Sequence, residues 1–448
     1  MSRTARVRID QLVPLGLSYA ASSGSLILAS AAQLITFAVL ARSLGVDQFG
    51  LFAAISAATT VAVNLCGLGA IECLVRRVAR DAKMYPVMLG HNLILTAATG
   101  VMLVALGMLF LPLIYKVAPD PLVNLSTIGV LLVTNIVLVR LILLVEQIFI
   151  SFSNFAAANQ AVVSFAVART ITAVLACLVF HTSKIVDWAI WQFACHALLT
   201  IGYAFWIRRL GLPKFRLVRE ELPLGFLFSV PLILKAVRQN VDLVVLSLVA
   251  NTEIVGSYSV AKRILDSSGL SIDALNRLAY PGSARATAHG MRNAADRVRK
   301  LAAAAGVIGV ATAVFVFVVA PYLPYLFGHD YVSMVKFVQI LSFTVILFAA
   351  SSVAIEIIGA AGRHGVRASI LGIGSAVGSI ISAIATWYAA PVGTFVAFYA
   401  TEAGSLCVAW IVLLAMMRSP DQTVHAHTAP SAVERAEDAS QHLLEHSP

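Results

Sequence analysis

Charged residues inside long apolar segments are the feature of this sequence that points to chemistry. Seven basic and seven acidic residues lie in such segments: Arg140, Arg169, Lys235, Arg238, Lys262, Arg263, Arg277, Glu72, Glu146, Asp242, Asp266, Asp273, Glu356 and Glu402. A charge at the centre of a bilayer costs about 2.5–3.5 kcal/mol even on the lowest scale, so it must line a wet cavity, pair or reach the membrane edge. Guanidinium and ammonium groups bind phosphate, while carboxylates orient these cations or take up protons.

Segment 255–281 carries its charges on one helical face. At 100° per residue, the residues that fall within about 60° of arc are Lys262, Asp266, Asp273 and Arg277. A spacing of four residues permits the pairs Lys262–Asp266 and Asp273–Arg277. Two interpretations stay open for this face: it lines a polar cavity, or it holds a set of structural ion pairs.

Segment 222–248 shows the same arrangement with Lys235, Arg238 and Asp242. Arg238 and Asp242 are spaced to pair, which leaves Lys235 as a surplus cation. Glu402 lies centrally in the last apolar segment and is a candidate protonatable group for ion coupling, with a structural hydrogen bond as the alternative. His91 and His196 are lone histidines within apolar segments, for which we expect packing or hydrogen bonding rather than metal ligation.

The composition fixes the fold class. Of 448 residues, 59% are hydrophobic and only 12% are charged, about half the charged fraction of an ordinary soluble domain. This excludes a soluble globular protein, a disordered chain and a disulfide scaffold, and predicts an all-α polytopic membrane protein. The net charge of +10 suits basic cytoplasmic loops rather than nucleic-acid binding. The five cysteines have no CxxC spacing, so we expect no metal or redox site.

Twelve apolar segments predict twelve transmembrane helices. They span 17–41, 51–75, 87–114, 125–150, 161–180, 186–206, 222–248, 255–281, 301–327, 335–359, 368–389 and 392–417. With residues 1–16 placed in the cytoplasm, 21 of the 32 Lys and Arg residues fall in inside segments and four in outside segments. This asymmetry predicts that both termini are cytoplasmic, and the polar tail 418–448 is expected to be disordered.

An internal repeat divides the predicted helices into two groups of six. A shift of 206 residues brings Leu40 onto Leu246 and Gly50 onto Gly256, each flanking a short outside turn. The expected lobes are 17–206 and 222–417, joined by a basic cytoplasmic linker over 207–221. Because both lobes start inside, the repeat is parallel, an arrangement used by alternating-access transporters.

Four motifs carry a resemblance to a known family. They are LARSLGVDQFGLF at 40–52, LGAIECLVRRVARD at 68–81, RQNVDLVVLSLVANTEIVGSYSVAKRI at 238–264 and LAYP at 278–281. With these, residues 15–417 resemble the Wzx-type polysaccharide flippases of the multidrug/oligosaccharidyl-lipid/polysaccharide exporter superfamily. The resemblance implies two six-helix lobes in a V, with helices one, two, seven and eight lining a central cavity. It also implies cavity cations, and the matching positions are Arg238, Lys262 and Arg263.

The resemblance further implies the substrate and its setting. The expected cargo is an undecaprenyl-diphosphate-linked oligosaccharide, moved between the leaflets of a bacterial inner membrane for lipopolysaccharide or exopolysaccharide synthesis. Membrane lipids, a polysaccharide polymerase and export machinery are the expected partners. No cofactor is expected, and protons or sodium ions are the candidate coupling ions.

The residues themselves suggest how such a cargo is held. We expect the cations Lys235, Arg238, Arg277, Arg140 and Arg169 to hold the diphosphate, and the acids Asp242, Asp266 and Asp273 to orient them or contact sugars. Two alternatives stay open. A cation-coupled drug or metabolite antiporter of the same superfamily would favour acids in its cavity, and a membrane polymerase or glycosyltransferase would need a larger outside loop.

Overall fold

The computed structural model describes residues 3–287, 291 and 294–418, and all regular secondary structure in these residues is helical. The helices before residue 208 are α1 (Arg3–Leu65), α2 (Ala70–Arg80), α3 (Tyr85–Ile114), α4 (Pro121–Leu132), α5 (Val139–Ser151), α6 (Phe155–Val174) and α7 (Ile185–Ile207). Those that follow are α8 (Leu222–Val249), α9 (Thr252–Ser268), α10 (Leu270–Thr287), α11 (Ala295–Val319), α12 (Leu323–Phe327), α13 (Val332–Ser342), α14 (Thr344–Ala360), α15 (His364–Ala389) and α16 (Val392–Arg418). The all-α fold class is confirmed.

Glycines set the turn within α1 and the break after it. Gly45 has φ 72° and ψ 167°, so the first two predicted spans meet at one non-helical residue. Further along, Gly67, Leu68 and Gly69 all have positive φ and separate α1 from α2. Only glycine adopts this backbone conformation without strain, which explains why two of the three residues are glycine.

Two π-helical segments interrupt helices of the first half. One spans Val133–Leu138 between α4 and α5, and the other spans Leu175–Val179 after α6. Segments of this kind widen the helix locally and often mark functional sites. The first is of interest below because it contains Asn135.

Nine helical stretches of the described residues are long and apolar enough to cross a membrane. The charge-bearing helices α8, α9 and α10 are not among them, and the stretch Ile27–Leu65 counts once although Gly45 interrupts it. The chain is therefore a multi-pass membrane protein, and the count of twelve spans stays a prediction.

Helices of each half of the chain pack mainly against one another. The principal contacts between the halves join α1 to α8, α9 and α12, and α2 to α8. The linker lies along the start of α3, where the Lys214 amide donates to the Pro86 carbonyl at 2.7 Å. The Val218 amide donates to His91 Nδ1 at 3.2 Å. The lobe boundaries stay a prediction, and the predicted tail beyond Arg418 lies outside the described residues.

Candidate functional site

One end of the molecule is closed by contacts between the two halves. Thr252 Oγ1 of α9 donates a hydrogen bond to Asp47 Oδ1 of α1 at 2.5 Å. The Tyr331 hydroxyl donates to the Ala41 carbonyl at 3.0 Å. Gly50 lies so close to α9 that a Cβ there would overlap the Thr252 carbonyl oxygen. These contacts define the closed end, where α1 and α9 approach as closely as their backbones allow.

Two arginines from opposite halves come together deeper along the same helices. The Arg263 guanidinium of α9 lies over the Phe37 ring of α1, 5.4 Å from its centroid. The neighbouring Thr36 hydroxyl is 2.9 Å from the Thr170 hydroxyl of α6, which places Arg169 beside the same part of α1. Arg169 and Arg263 are close enough to repel each other electrostatically.

The arginine pair lies well away from the closed end. Each residue is about ten positions from the end of its helical stretch at the closed end, or about 15 Å at 1.5 Å per residue. This distance equals about half the thickness of a hydrocarbon core of about 30 Å.

Both arginines keep unused hydrogen-bond donors. Among the described residues neither guanidinium is in a salt bridge, and neither Nε has a hydrogen-bond partner. Arg169 stacks over Phe165 at 5.5 Å from the ring centroid. The exposed Asp266 interacts with Arg263 electrostatically without forming a salt bridge. Two guanidiniums with free donors can bind a doubly charged anion.

Lys262 pairs across helices rather than along its own helix. Its Nζ lies 2.6 Å from Asp242 Oδ1 and 2.5 Å from Oδ2, and the Tyr258 hydroxyl donates to Oδ2 at 2.5 Å. The expected Lys262–Asp266 pair is therefore wrong. Asp242 is buried and needs a counter-charge, whereas Asp266 is exposed and water can solvate it.

Arg238 also pairs with a different partner from the one expected. Its Nη2 lies 2.5 Å from Glu402 Oε1 of α16, so the predicted Arg238–Asp242 pair is wrong as well. The reason is again tertiary, because α16 brings a largely buried carboxylate to α8 while Lys262 already neutralises Asp242. The structural hydrogen bond considered for Glu402 is present, and a coupling role for it stays a prediction.

The other predicted site residues are distributed around this centre. Lys235 is exposed and has no ion pair among the described residues, as expected for a surplus cation. Asp273 is exposed on α10, while the side chain of Arg277 lies outside the described part of the structure. Arg140 is buried against Gly67, and its electrostatic partners are Glu72 and Cys66 rather than the Arg169–Arg263 pair.

Several polar residues beside Arg169 were not predicted as site residues. Gln192 Nε2 donates to Asn135 Oδ1 at 2.8 Å, and His196 Nδ1 is 2.7 Å from the Gln192 carbonyl oxygen. The sequence holds many such amides, so residue type alone could not identify these as site residues. The one-turn spacing of Gln192 and His196 is the only sequence pattern that links them. No group of three metal-binding side chains occurs among the residues the structure describes.

Comparison with known proteins identifies the relatives of this chain. Residues 18–275 match the family model described as polysaccharide biosynthesis protein, whereas no curated protein sequence matches significantly. Among solved structures, the chain is similar to the MATE multidrug transporter DinF-BH in complex with R6G, with 14% identity, 89% of this chain and 94% of that chain covered, and a TM-score of 0.61. It is also similar to the lipid II flippase MurJ in an inward closed conformation, with 13% identity, 88% and 89% coverage, and a TM-score of 0.61. At these identities the likeness shows a shared fold alone.

Proposed function

Because the chain belongs to the polysaccharide biosynthesis protein family, whose model spans more than half of it, we propose that it is a flippase for lipid-linked oligosaccharides. The proposed cargo is a polyprenyl-diphosphate-linked repeat unit, moved across a bacterial inner membrane for surface polysaccharide synthesis. Its fold is shared by transporters and a flippase, which supports transport rather than catalysis. A polysaccharide polymerase is the proposed downstream partner.

The pairing of Arg169 with Arg263 is the observation that carries this proposal. A diphosphate that links a sugar to a lipid has two negative charges at neutral pH, and two guanidiniums match this number. Each offers forked N–H donors to phosphate oxygens. Mutual repulsion between the two cations is relieved when an anion lies between them, so the pair favours an occupied site.

Alternating access follows from the position of this pair between the halves. In the orientation predicted from Lys and Arg, the closed end faces outside, so the site accepts cargo from the cytoplasmic leaflet. Outward release then requires α1 and α9 to separate around Gly50. The prenyl chain stays in the bilayer throughout, and only the polar headgroup crosses.

The ion pairs of the second half support its movement as one body. Lys262–Asp242 joins α9 to α8, and Arg238–Glu402 joins α8 to α16. A proton or sodium ion at Glu402 would compete with Arg238, which is how we propose that ion binding there would affect the movement. Sodium ions and protons are both candidates for this role.

Reconstituted transport tests the proposal. The purified protein is placed in vesicles with a fluorescent polyprenyl-diphosphate glycan, and the fraction protected from an external quencher is followed over time. Wild-type protein is expected to equilibrate the probe between leaflets faster than protein-free vesicles do. Arg299→Gln, a change at an exposed surface ion pair, serves as the control and is expected to match wild type.

Two other results would overturn the proposal. Uptake of a cationic dye without movement of the glycan lipid would identify a drug antiporter. Elongation of the glycan by the purified protein would identify an enzyme.

A further inference from the structure

A cluster of buried polar side chains beside Arg169 has atoms that bind nothing in the described structure. Gln192 and His196 of α7 are 3% and 1% exposed. The atoms without a hydrogen-bond partner include Asn135 Nδ2, Arg169 Nε, Gln192 Oε1 and His196 Nε2. Leaving such atoms unsatisfied costs about 1–3 kcal/mol each, so four of them in one place indicate a site that binds water or protons.

The hydrogen bond of His196 fixes which of its nitrogens is free to accept a proton. Nδ1 lies 2.7 Å from the Gln192 carbonyl oxygen, and a carbonyl oxygen only accepts, so Nδ1 carries the hydrogen. A neutral imidazole has one N–H, so Nε2 presents a bare lone pair. This buried lone pair is the proton acceptor of the cluster.

The charge that faces this imidazole is Arg169. The Phe165 ring contacts both groups, with the His196 ring edge-on at 5.4 Å and the guanidinium at 5.5 Å. Of the elements that pack against α7, α4 and the Val133–Leu138 segment contain no charged residue. In α1 the charges lie near its start (Arg3, Arg6, Arg8 and Asp10) and toward the closed end (Arg42 and Asp47), and the turn after α7 carries Arg208 and Arg209. Arg140 and Glu146 of α5 do not interact with His196 electrostatically, whereas Arg169 does.

We propose that His196 is a proton-binding site linked to the anion held by Arg169 and Arg263, an inference that rests on the proposed function. In the empty site, burial and the positive charge of Arg169 both disfavour a proton on His196. A diphosphate bound at the arginines offsets the repulsion by Arg169. A proton from the bulk solution then bonds to Nε2, and the imidazolium can donate toward the free Gln192 Oε1.

This linkage has a consequence for transport. Because coupling between two ligands is reciprocal, the anion strengthens proton binding and the proton strengthens anion binding by the same factor. Release of the headgroup on the other side returns the proton there. The protein would therefore move about one proton in the same direction as each anionic headgroup.

Binding measured against pH tests this inference. The probe is a farnesyl-diphosphate-linked N-acetylglucosamine, a diphosphate diester whose own charge does not change near neutral pH. We expect its affinity for the wild-type protein to be up to about 100-fold higher at about pH 6 than at about pH 8, because one proton taken up changes the affinity about tenfold per pH unit. Binding in weakly buffered solution should take up close to one proton per bound probe, read with a pH indicator.

Two histidine variants separate proton binding from structural support. His196→Asn keeps an amide donor near the position of Nδ1 but has no Nε2, and should bind the probe without pH dependence or proton uptake. His91→Asn removes another buried histidine, 1% exposed, and should keep both. If His196→Asn does not fold, the same measurements on His196→Gln, together with proton uptake by the wild type, test whether His196 binds the proton.

The outcomes distinguish this inference from the proposed function. Probe binding without proton uptake in the wild type, or pH dependence retained in a folded His196 variant, overturns the role of His196 alone. Absence of probe binding at every pH overturns the proposed function and this inference with it.

Discussion

The Lys262–Asp242 pair shows how a buried carboxylate selects its partner. Asp242 receives both the Lys262 ammonium and the Tyr258 hydroxyl, and the side chains of Lys262 and Asp242 are 11% and 3% exposed. Breaking a buried pair from one side leaves an uncompensated charge, which is more damaging than removing both partners.

Lys262→Met is therefore expected to destabilise the protein by about 3–5 kcal/mol. Thermal unfolding in detergent measures the effect. Lys235→Met is the matched control, because Lys235 is exposed and has no ion pair in the described structure, and it should leave the unfolding temperature nearly unchanged. Equal effects of the two changes would contradict the account. So would a Lys262→Met, Asp242→Asn double variant that is no more stable than Lys262→Met alone.

Residue spacing alone could not predict these partners. The sequence indicates which residues are charged and which share a helical face, and Lys235, Arg238 and Asp242 were identified in this way. Spacing of four residues then favoured the pairs Arg238–Asp242 and Lys262–Asp266 within one helix. In the structure, Arg238 and Lys262 each pair instead with a carboxylate on a neighbouring helix. The Arg169–Arg263 pair depends on the packing of α6 and α9 around α1, which no local pattern encodes.

Helix α2 is separated from α1 yet fixed to the start of α8. The Gly67–Gly69 break releases it from α1. At its other end Arg76 and Arg77 bind the Glu221 carboxylate at 2.6 and 2.5 Å, although Glu221 is 1% exposed. Burial raises the pKa of Glu221. The hydrogen bonds from Arg77 and Arg76 lower it, and with them the net pKa lies below its ordinary value.

The lowered pKa of Glu221 gives a pH prediction with a definite sign. Its stabilising contribution is present above the ordinary carboxyl pKa and is lost as pH falls through the lower folded-state value. Glu221→Gln should thus lower the unfolding temperature at neutral pH, and the gap to wild type should narrow as pH falls below about 4. Glu220→Gln, at the exposed neighbour, is the control. A gap that is constant with pH would contradict the role of the Glu221 charge.

The helices themselves were largely predictable from the sequence, because apolar runs and Lys and Arg distribution are local signals. The structure has helices at each predicted span, and the Gly45 turn lies in the outside segment that the repeat identified. The break at Gly67–Gly69 and the π segment around Asn135 were not predicted. Both arise where a helix adapts to its neighbours, so the deciding interactions are tertiary.

At the scale of the whole molecule, the closed end must open for transport to occur. Asp47 and Thr252 lie on opposite halves and touch through their side chains at 2.5 Å. A disulfide between cysteines at these positions should hold the closed end shut. Among the native cysteines described, only Cys407 is exposed, so Cys407→Ser gives a suitable background.

The Asp47→Cys, Thr252→Cys protein is expected to bind the glycan lipid when oxidised but not to move it. Reduction should restore transport, measured in the vesicle assay with each single cysteine variant as control. Full transport by the oxidised protein would show that this end does not need to open, and alternating access around the arginine pair would be wrong.

The central claim is that arginines from both halves hold one diphosphate, and the affinity of the farnesyl-diphosphate-linked N-acetylglucosamine measures it most directly. Charge-assisted hydrogen bonds contribute about 1.5–3 kcal/mol, so Arg169→Gln and Arg263→Gln should each weaken binding by about 10- to 100-fold. Because the two residues share one ligand, the double variant should deviate from the sum of the single effects, while Arg299→Gln should bind as wild type does. Unchanged affinity in the folded double variant would contradict the claim.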